Sequence, residues 1–191
     1  MSGYLCRVAR GFLVLALCLV SGLVGESRAI DVGEAAPYFS LTDLDYDQHS
    51  LTAYRSHPVL LFFLECDATA SAVLAPLIQR EVYDVFAGQG LVVLGLDARS
   101  CSRTGLENFR DQTGVDYPLL LDAGDVQSTY GISDDSFVLV DGGGVVRYVA
   151  EGPGTGSYNS TQMKVKIEEL LRDANNVKVS TWGVIKSIYQ Q

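Results

Sequence analysis

Val59-Leu60-Leu61-Phe62-Phe63-Leu64 and Leu91-Val92-Val93-Leu94-Gly95-Leu96 are two unbroken apolar runs rich in strand formers. The absence of alternation is what parallel strands buried on both faces require. Between the runs, residues 70–88 place apolar side chains at 73, 74, 77, 78, 82, 85 and 86, close to helical spacing, with Pro76 as the expected kink. Strand, helix and strand in so short a stretch form a βαβ unit, and its right-handed crossover makes the two strands parallel. Residues 59–96 therefore predict an α/β core whose central strand is 59–64.

The flanks extend this core. Downstream, Thr104 to Thr113 reads as a helix, Tyr117 to Leu121 as a short strand, and Asp125 to Tyr130 as a helical turn ended by Gly131. Phe137 to Val140 and Val145 to Val149 flank Asp141-Gly142-Gly143-Gly144, a strong hairpin signal. Asn159 or Ser160 can cap a last helix with inward positions 163, 167, 170 and 171. Upstream, Phe39 and Leu41 alternate with Ser40 and Thr42 as in a short strand, and Asp43 to Ser50 supplies a turn. Residues 30–174 read as one domain and 175–191, with Trp182, as a short C-terminal tail.

With 191 residues, 48% apolar and 19% charged, the chain suits one domain with a sizeable core. The 14 basic against 23 acidic residues give a net charge of −9, which argues against nucleic acid as a partner. The four cysteines, at 6, 18, 66 and 101, are too few for a disulfide scaffold and form no C-x-x-C metal motif.

Arg7 and Arg10 precede an apolar run from Gly11 to Gly25, followed by Ser27-Arg28-Ala29 with small residues at −3 and −1. This predicts a cleaved secretory signal over 1–29, with an exported, periplasmic or extracellular product and no stable membrane insertion after cleavage. The run is shorter than the roughly 20 residues that span a bilayer. Leu17 before Cys18 is too bulky for a lipobox. Cleavage removes Cys6 and Cys18, leaving Cys66 and Cys101 in an oxidising compartment.

The predicted order, a hairpin, βαβ, a helix, a second hairpin and a closing helix, is that of a thioredoxin-like domain, with a central mixed sheet flanked by helices. Residues 32–43, Val-Gly-Glu-Ala-Ala-Pro-Tyr-Phe-Ser-Leu-Thr-Asp, resemble the G-x-x-A-P-D-F-x-L-x-D opening of the redoxin, or alkyl-hydroperoxide-reductase/thiol-specific-antioxidant, family. Residues 51–63 resemble its L-S-D-Y-R-G-K-P-V-L-L-x-F segment. Tyr117-Pro118-Leu119-Leu120-Leu121-Asp122, Tyr130-Gly131-Ile132 and Val138-Leu139-Val140-Asp141-Gly142 are similar to its later landmarks. The likeness covers residues 32–172. It implies a thiol–disulfide oxidoreductase or thiol peroxidase of antioxidant or redox homeostasis, working with an unnamed redox partner or client protein. The alternative is a catalytically silent thioredoxin-fold module that holds a partner protein or peptide.

The chemistry departs from that pattern. The family places a C-x-x-C pair, or one peroxidatic cysteine, where the central strand turns into the first helix, because a helix N-terminus stabilises a thiolate. Aligning Phe63 and Pro76 with the pattern puts Ala68-Thr69-Ala70-Ser71 on the C-x-x-C, with Ala68 and Ser71 on the two thiols. The family's cis-proline falls near Asp135. Cys66 stands two residues ahead of the first expected thiol, between Glu65 and Asp67, whose charges disfavour a thiolate. It also lacks the peroxidatic Thr or Ser three residues earlier.

Cys101 follows the second parallel strand. In a thioredoxin-like sheet these strands are neighbours, so both cysteines emerge at one edge, which favours a Cys66–Cys101 disulfide. Closing a loop of about 35 residues would stabilise the fold by about 3 to 4 kcal/mol in the chain-entropy model. A structural staple, two free thiols and a redox-active pair, with Cys66 catalytic and Cys101 resolving, all remain open.

The other constellations point to packing or turns. Asp43-Leu44-Asp45-Tyr46-Asp47 imitates half a calcium loop, but Gln48 replaces the required Gly and Tyr54 the closing Glu, leaving a solvated turn as the expectation. His49 and His57 lack the partners of a metal site or triad. Ser71 reads as a helix cap, and Asp134-Asp135 and Asp122 with Asp125 read as solvated turn residues. Gly152 to Ser157 lacks the Lys-Ser/Thr of a phosphate loop and reads as a flexible connection. Asn159-Ser160-Thr161 is a glycosylation sequon in a eukaryotic host. No cofactor or metal motif is present.

Overall fold

The computed structural model describes residues 28–152 and 154–189, with side chains to residue 175. The predicted signal therefore lies outside the described residues except for Arg28 and Ala29. Strand β1 (Ser40–Thr42) pairs antiparallel with β2 (Gln48–Ser50). Next come β3 (Val59–Leu64), α1 (Thr69–Ile78), a short α2 (Asp84–Phe86), β4 (Val92–Asp97), α3 (Arg103–Thr113) and β5 (Leu119–Leu120). The chain closes with α4 (Gly124–Tyr130), β6 (Ser136–Val140), β7 (Val146–Ala150) and α5 (Ser160–Tyr189).

The five-stranded sheet has the order β5-β4-β3-β6-β7. β3 runs parallel to β4, and β4 to β5, while β6 is antiparallel to both β3 and β7. This is the mixed α/β sheet of a thioredoxin-like fold, with β3 at its centre. All six β3 side chains, Val59 and five Leu or Phe residues, are buried, and each stabilises the fold by about 1.5–3 kcal/mol. Leu60, Phe62 and Leu64 face α1, α3 and α5, with Phe62 stacked on Phe137 at 4.8 Å. Val59, Leu61 and Phe63 face the opposite layer, which includes Tyr130 of α4 and Phe39. Core side chains pack over Gly95 in β4: a Cβ there would lie 2.5 Å from Leu119 Cδ2 and 3.0 Å from Leu64 Cδ2, so a larger residue would have to displace them.

Several elements differ from the sequence expectations. Gln48–Ser50 is strand rather than turn, and β5 is shorter than predicted. Helix α1 continues through Pro76, and the departure comes later, as a π turn over Gln79–Tyr83. Pro76 has no N–H to offer the preceding turn, yet the helix passes it unbroken and the π turn begins three residues later. The last helix runs unbroken past residue 175 to Tyr189, so the tail boundary falls inside α5. Among the described residues no helix is long and apolar enough to cross a membrane.

Candidate redox site

Parallel pairing of β3 and β4 brings their C-terminal ends together, with Leu64 beside Asp97. The loops leaving these strands carry Cys66 and Cys101, which form a disulfide with a Cα separation of 6.4 Å. Both cysteines are partly exposed. Cys66 also packs against the core beneath α1. The bridge sits against the first turn of α3: a Cβ at Gly105 would lie in van der Waals contact, 3.6 Å from Cys66 Sγ and 3.8 Å from Cys101 Cβ.

The Cys101 loop is shaped from below by Asp97, which is fully buried. Its carboxylate accepts hydrogen bonds from the backbone N–H of Cys101 at 2.6 Å and of Arg99 at 3.4 Å. Burial pushes the Asp97 carboxyl above the usual carboxylate range, and the two N–H bonds oppose that shift. Ser102 caps α3 through Gly105 N, so Cys101 stands immediately before a helix N-terminus.

The Cys66 loop is held from α1. Ser71 Oγ accepts from Glu65 N at 2.9 Å and donates to Asp135 Oδ1 at 2.6 Å. Asp135 precedes β6 with a φ of +60°, a left-handed conformation that Asp tolerates better than most residues. Its N–H donates to Phe63 O at 2.8 Å, its Oδ2 accepts from Gly154 N at 3.1 Å, and its carbonyl accepts from Ser157 Oγ at 2.5 Å. One residue therefore ties the end of β3, the start of α1 and the 154–157 turn together.

These contacts correct several expectations. Ser71 is not a cap: Ala68 holds the capping position of α1, and the Ser71 hydroxyl is buried between Glu65 and Asp135. Asp135 is 5% exposed and fully engaged rather than solvated. Asp134 is paired too, with Arg99 at 2.5 Å and Gln127 at 2.7 Å. The 154–157 segment is a 3-10 turn docked on Asp135 rather than a flexible connection. Sequence inspection missed this docking because no local pattern links residue 135 to residue 154.

The acidic turn was also misjudged. Asp43 is buried, accepting from Asp45 N at 2.8 Å and Asp47 N at 2.9 Å, with its other oxygen 2.8 Å from His49 Nε2. His49 lies in β2, and its Nδ1 hydrogen-bonds to the Tyr54 hydroxyl. Burial, then the charges of Asp43 and Asp47, push the Tyr54 phenol above its usual value. These contacts occupy both carboxylate oxygens of Asp43. Asn159, as expected, caps α5 by accepting from Gln162 N.

The comparisons agree with this architecture. A thiol-disulfide oxidoreductase ResA from Geobacillus thermodenitrificans is 30% identical over 132 residues, covering 68% of this chain and 75% of the relative. A chloroplastic peroxiredoxin Q from Oryza sativa subsp. japonica is 27% identical over 129 residues, 63% of this chain and 58% of that protein. Among solved structures, a thiol:disulfide interchange protein of Chlorobium tepidum matches with a TM-score of 0.62 at 17% identity, over 75% of this chain and 99% of that one. A secreted disulfide oxidoreductase of Mycobacterium tuberculosis matches with a TM-score of 0.59 at 16% identity, over 69% and 96%. At those identities the structures show the fold alone. The AhpC/TSA family profile matches residues 32–149, from before β1 into β7 and including Cys66 and Cys101, and with the mixed sheet around β3 this makes the chain a member of the AhpC/TSA family.

Proposed function

We propose that the protein is an exported thiol–disulfide oxidoreductase whose exchanging pair is Cys66–Cys101, in place of the C-x-x-C lost at Ala68 and Ser71. The observation that carries this reading is the partly exposed disulfide at the C-terminal edge of β3 and β4, beside the start of α1. The relatives named as thiol-disulfide oxidoreductases support the class of reaction. The leader-like N-terminus supports export.

The exchange proceeds in two displacements. A client thiolate attacks Cys66 Sγ; the Cys66–Cys101 bond breaks, and Cys101 leaves as a thiolate. A second client thiolate then attacks the mixed disulfide at the client sulfur and releases Cys66. The client dithiol becomes a disulfide, and the protein's disulfide becomes two thiols. The reverse steps reduce a client disulfide. Charge developing on the leaving sulfur is better placed on Cys101, at the N-terminal end of α3, than on Cys66 between two carboxylates. Client binding through Cys66, with Cys101 resolving, follows from this asymmetry.

A second reading is a silent binding module, and the Ser71–Asp135 hydrogen bond at the family's catalytic positions favours it. Insulin-disulfide reduction and peroxide consumption by wild type and Cys66→Ser separate the readings. Insulin turnover abolished in Cys66→Ser supports exchange. No turnover in either protein supports the module, and consumption of peroxide alone moves the assignment to thiol peroxidase.

A further inference from the structure

We propose that reduction of the Cys66–Cys101 bond creates a site for a thiophilic divalent cation of the zinc type, held by both sulfurs and the carboxylate of Asp67. The proposal rests on the pair being reducible, as the exchange reading requires, and goes beyond it by assigning the reduced state a ligand.

Three donors meet here from two loops. The Cys66 and Cys101 sulfurs and an Asp67 carboxylate oxygen lie within 4.8 Å of one another. A tetrahedral zinc ion with Zn–S near 2.3 Å and Zn–O near 2.1 Å needs S···S of about 3.8 Å and S···O of about 3.6 Å. The loops that carry the two cysteines leave β3 and β4 at the paired residues Leu64 and Asp97, so they stay neighbours when the sulfurs part.

The donor chemistry selects the ion. Two thiolates and a carboxylate more than offset a divalent charge, and thiolate favours zinc over calcium or magnesium. Asp67 is exposed, and its carboxylate is drawn into no hydrogen bond among the described residues. Neighbouring acids are occupied: Asp97 by the Cys101 and Arg99 amides, Asp134 by Arg99 and Gln127. Three protein ligands leave the fourth position to water.

The balance is closed. Reduction adds two electrons from the phosphine used in the test, which takes the oxygen of a water molecule and becomes its oxide, and the two protons of that water. The cation then displaces both thiol protons, so loading strengthens as pH rises. A loaded site withholds both thiolates from oxidation, making the cation and the disulfide mutually exclusive.

The test is anaerobic titration of the phosphine-reduced protein with Co2+, then Zn2+, reading sulfur-to-cobalt charge transfer and tetrahedral ligand-field bands. The expected result is one ion per chain, displaced by Zn2+, with no bands from the oxidised protein or from reduced Cys66→Ser. Asp67→Asn, a surface change, should weaken binding at least about tenfold. Zn2+ should also slow re-formation of the disulfide by glutathione disulfide. A reduced protein with two titratable thiols and no bands overturns the cation site and leaves exchange standing, as does an Asp67→Asn variant that binds as wild type. A disulfide that phosphine cannot open in the folded protein overturns both.

Discussion

Ser71 Oγ lies 2.6 Å from Asp135 Oδ1, a hydrogen bond that joins the first turn of α1 to the residue before β6. Both groups are buried, and the same serine oxygen accepts the Glu65 amide one residue before Cys66. Ser71 and Asp135 thus form a buried polar brace for the loop that carries Cys66.

Removing the brace should be costly. Asp135→Ala leaves the Ser71 hydroxyl and the Gly154 amide without their acceptor, and each such group costs about 1–3 kcal/mol. Asp135→Pro should also destabilise by about 3 kcal/mol or more, because proline cannot adopt a φ of +60° and removes the N–H given to Phe63 O. Urea denaturation measures both. A neutral Asp135→Pro would show that the proline conformation is still available here.

The disulfide should stabilise the fold independently of any exchange. Cys101→Ser is expected to lower unfolding free energy by about 3–4 kcal/mol relative to the oxidised wild type, mostly through the freed unfolded chain. Denaturation of the oxidised and reduced wild type should show a similar gap. Equal stabilities would mean that the bridge is strained or reduced in solution.

Glu81 predicts an acid limb. It accepts from Ser160 Oγ at 2.5 Å, Lys164 Nζ at 3.1 Å and Tyr158 OH at 3.2 Å, joining the π turn to the start of α5. The Ser160 hydrogen bond, then Lys164, hold its carboxyl down at about 2. A carboxyl whose folded value is depressed adds stability above its unfolded value, near 4.3, and loses it as pH falls towards 2. Thermal melts between about pH 5 and pH 2 should show a shallower decline in Glu81→Gln, with about 1 kcal/mol lost at neutral pH. Parallel declines would contradict the assignment.

Arg103 couples the N-terminal hairpin to the helix that follows Cys101. Its guanidinium lies 4.1 Å from the Tyr46 ring centroid and donates to Leu44 O at 2.6 Å. Arg103→Ala should raise hydrogen exchange about tenfold at the Asp45 and Asp47 amides, a loss of about 1.4 kcal/mol in local opening, while β3 amides stay protected. Unchanged exchange at both amides would place the hairpin's anchor elsewhere.

The fold was legible because its central evidence is local: six consecutive apolar residues in β3, six more at 91–96, and a helical period between them. The two cysteines were legible as neighbours once those strands were taken as parallel. The polar brace was not, because residue type cannot show that Asp135 reaches 64 residues back to Ser71 and 19 forward to Gly154. Asp43 and His49 failed for a related reason: acidic turn residues are usually solvated, yet here backbone amides and a histidine occupy the carboxylate in a buried position. The π turn has no residue signature beyond the proline that precedes it.

Mixed-disulfide trapping tests the exchange pair most directly. The folded Cys101→Ser variant is mixed with a disulfide-bonded peptide and followed by intact mass and peptide mapping. The account predicts one persistent adduct on Cys66 per chain, with wild-type reduced protein passing through the adduct to the Cys66–Cys101 bond and released peptide thiols. An unmodified Cys66 in the variant, together with a wild-type disulfide that stays closed under excess dithiol, would contradict it.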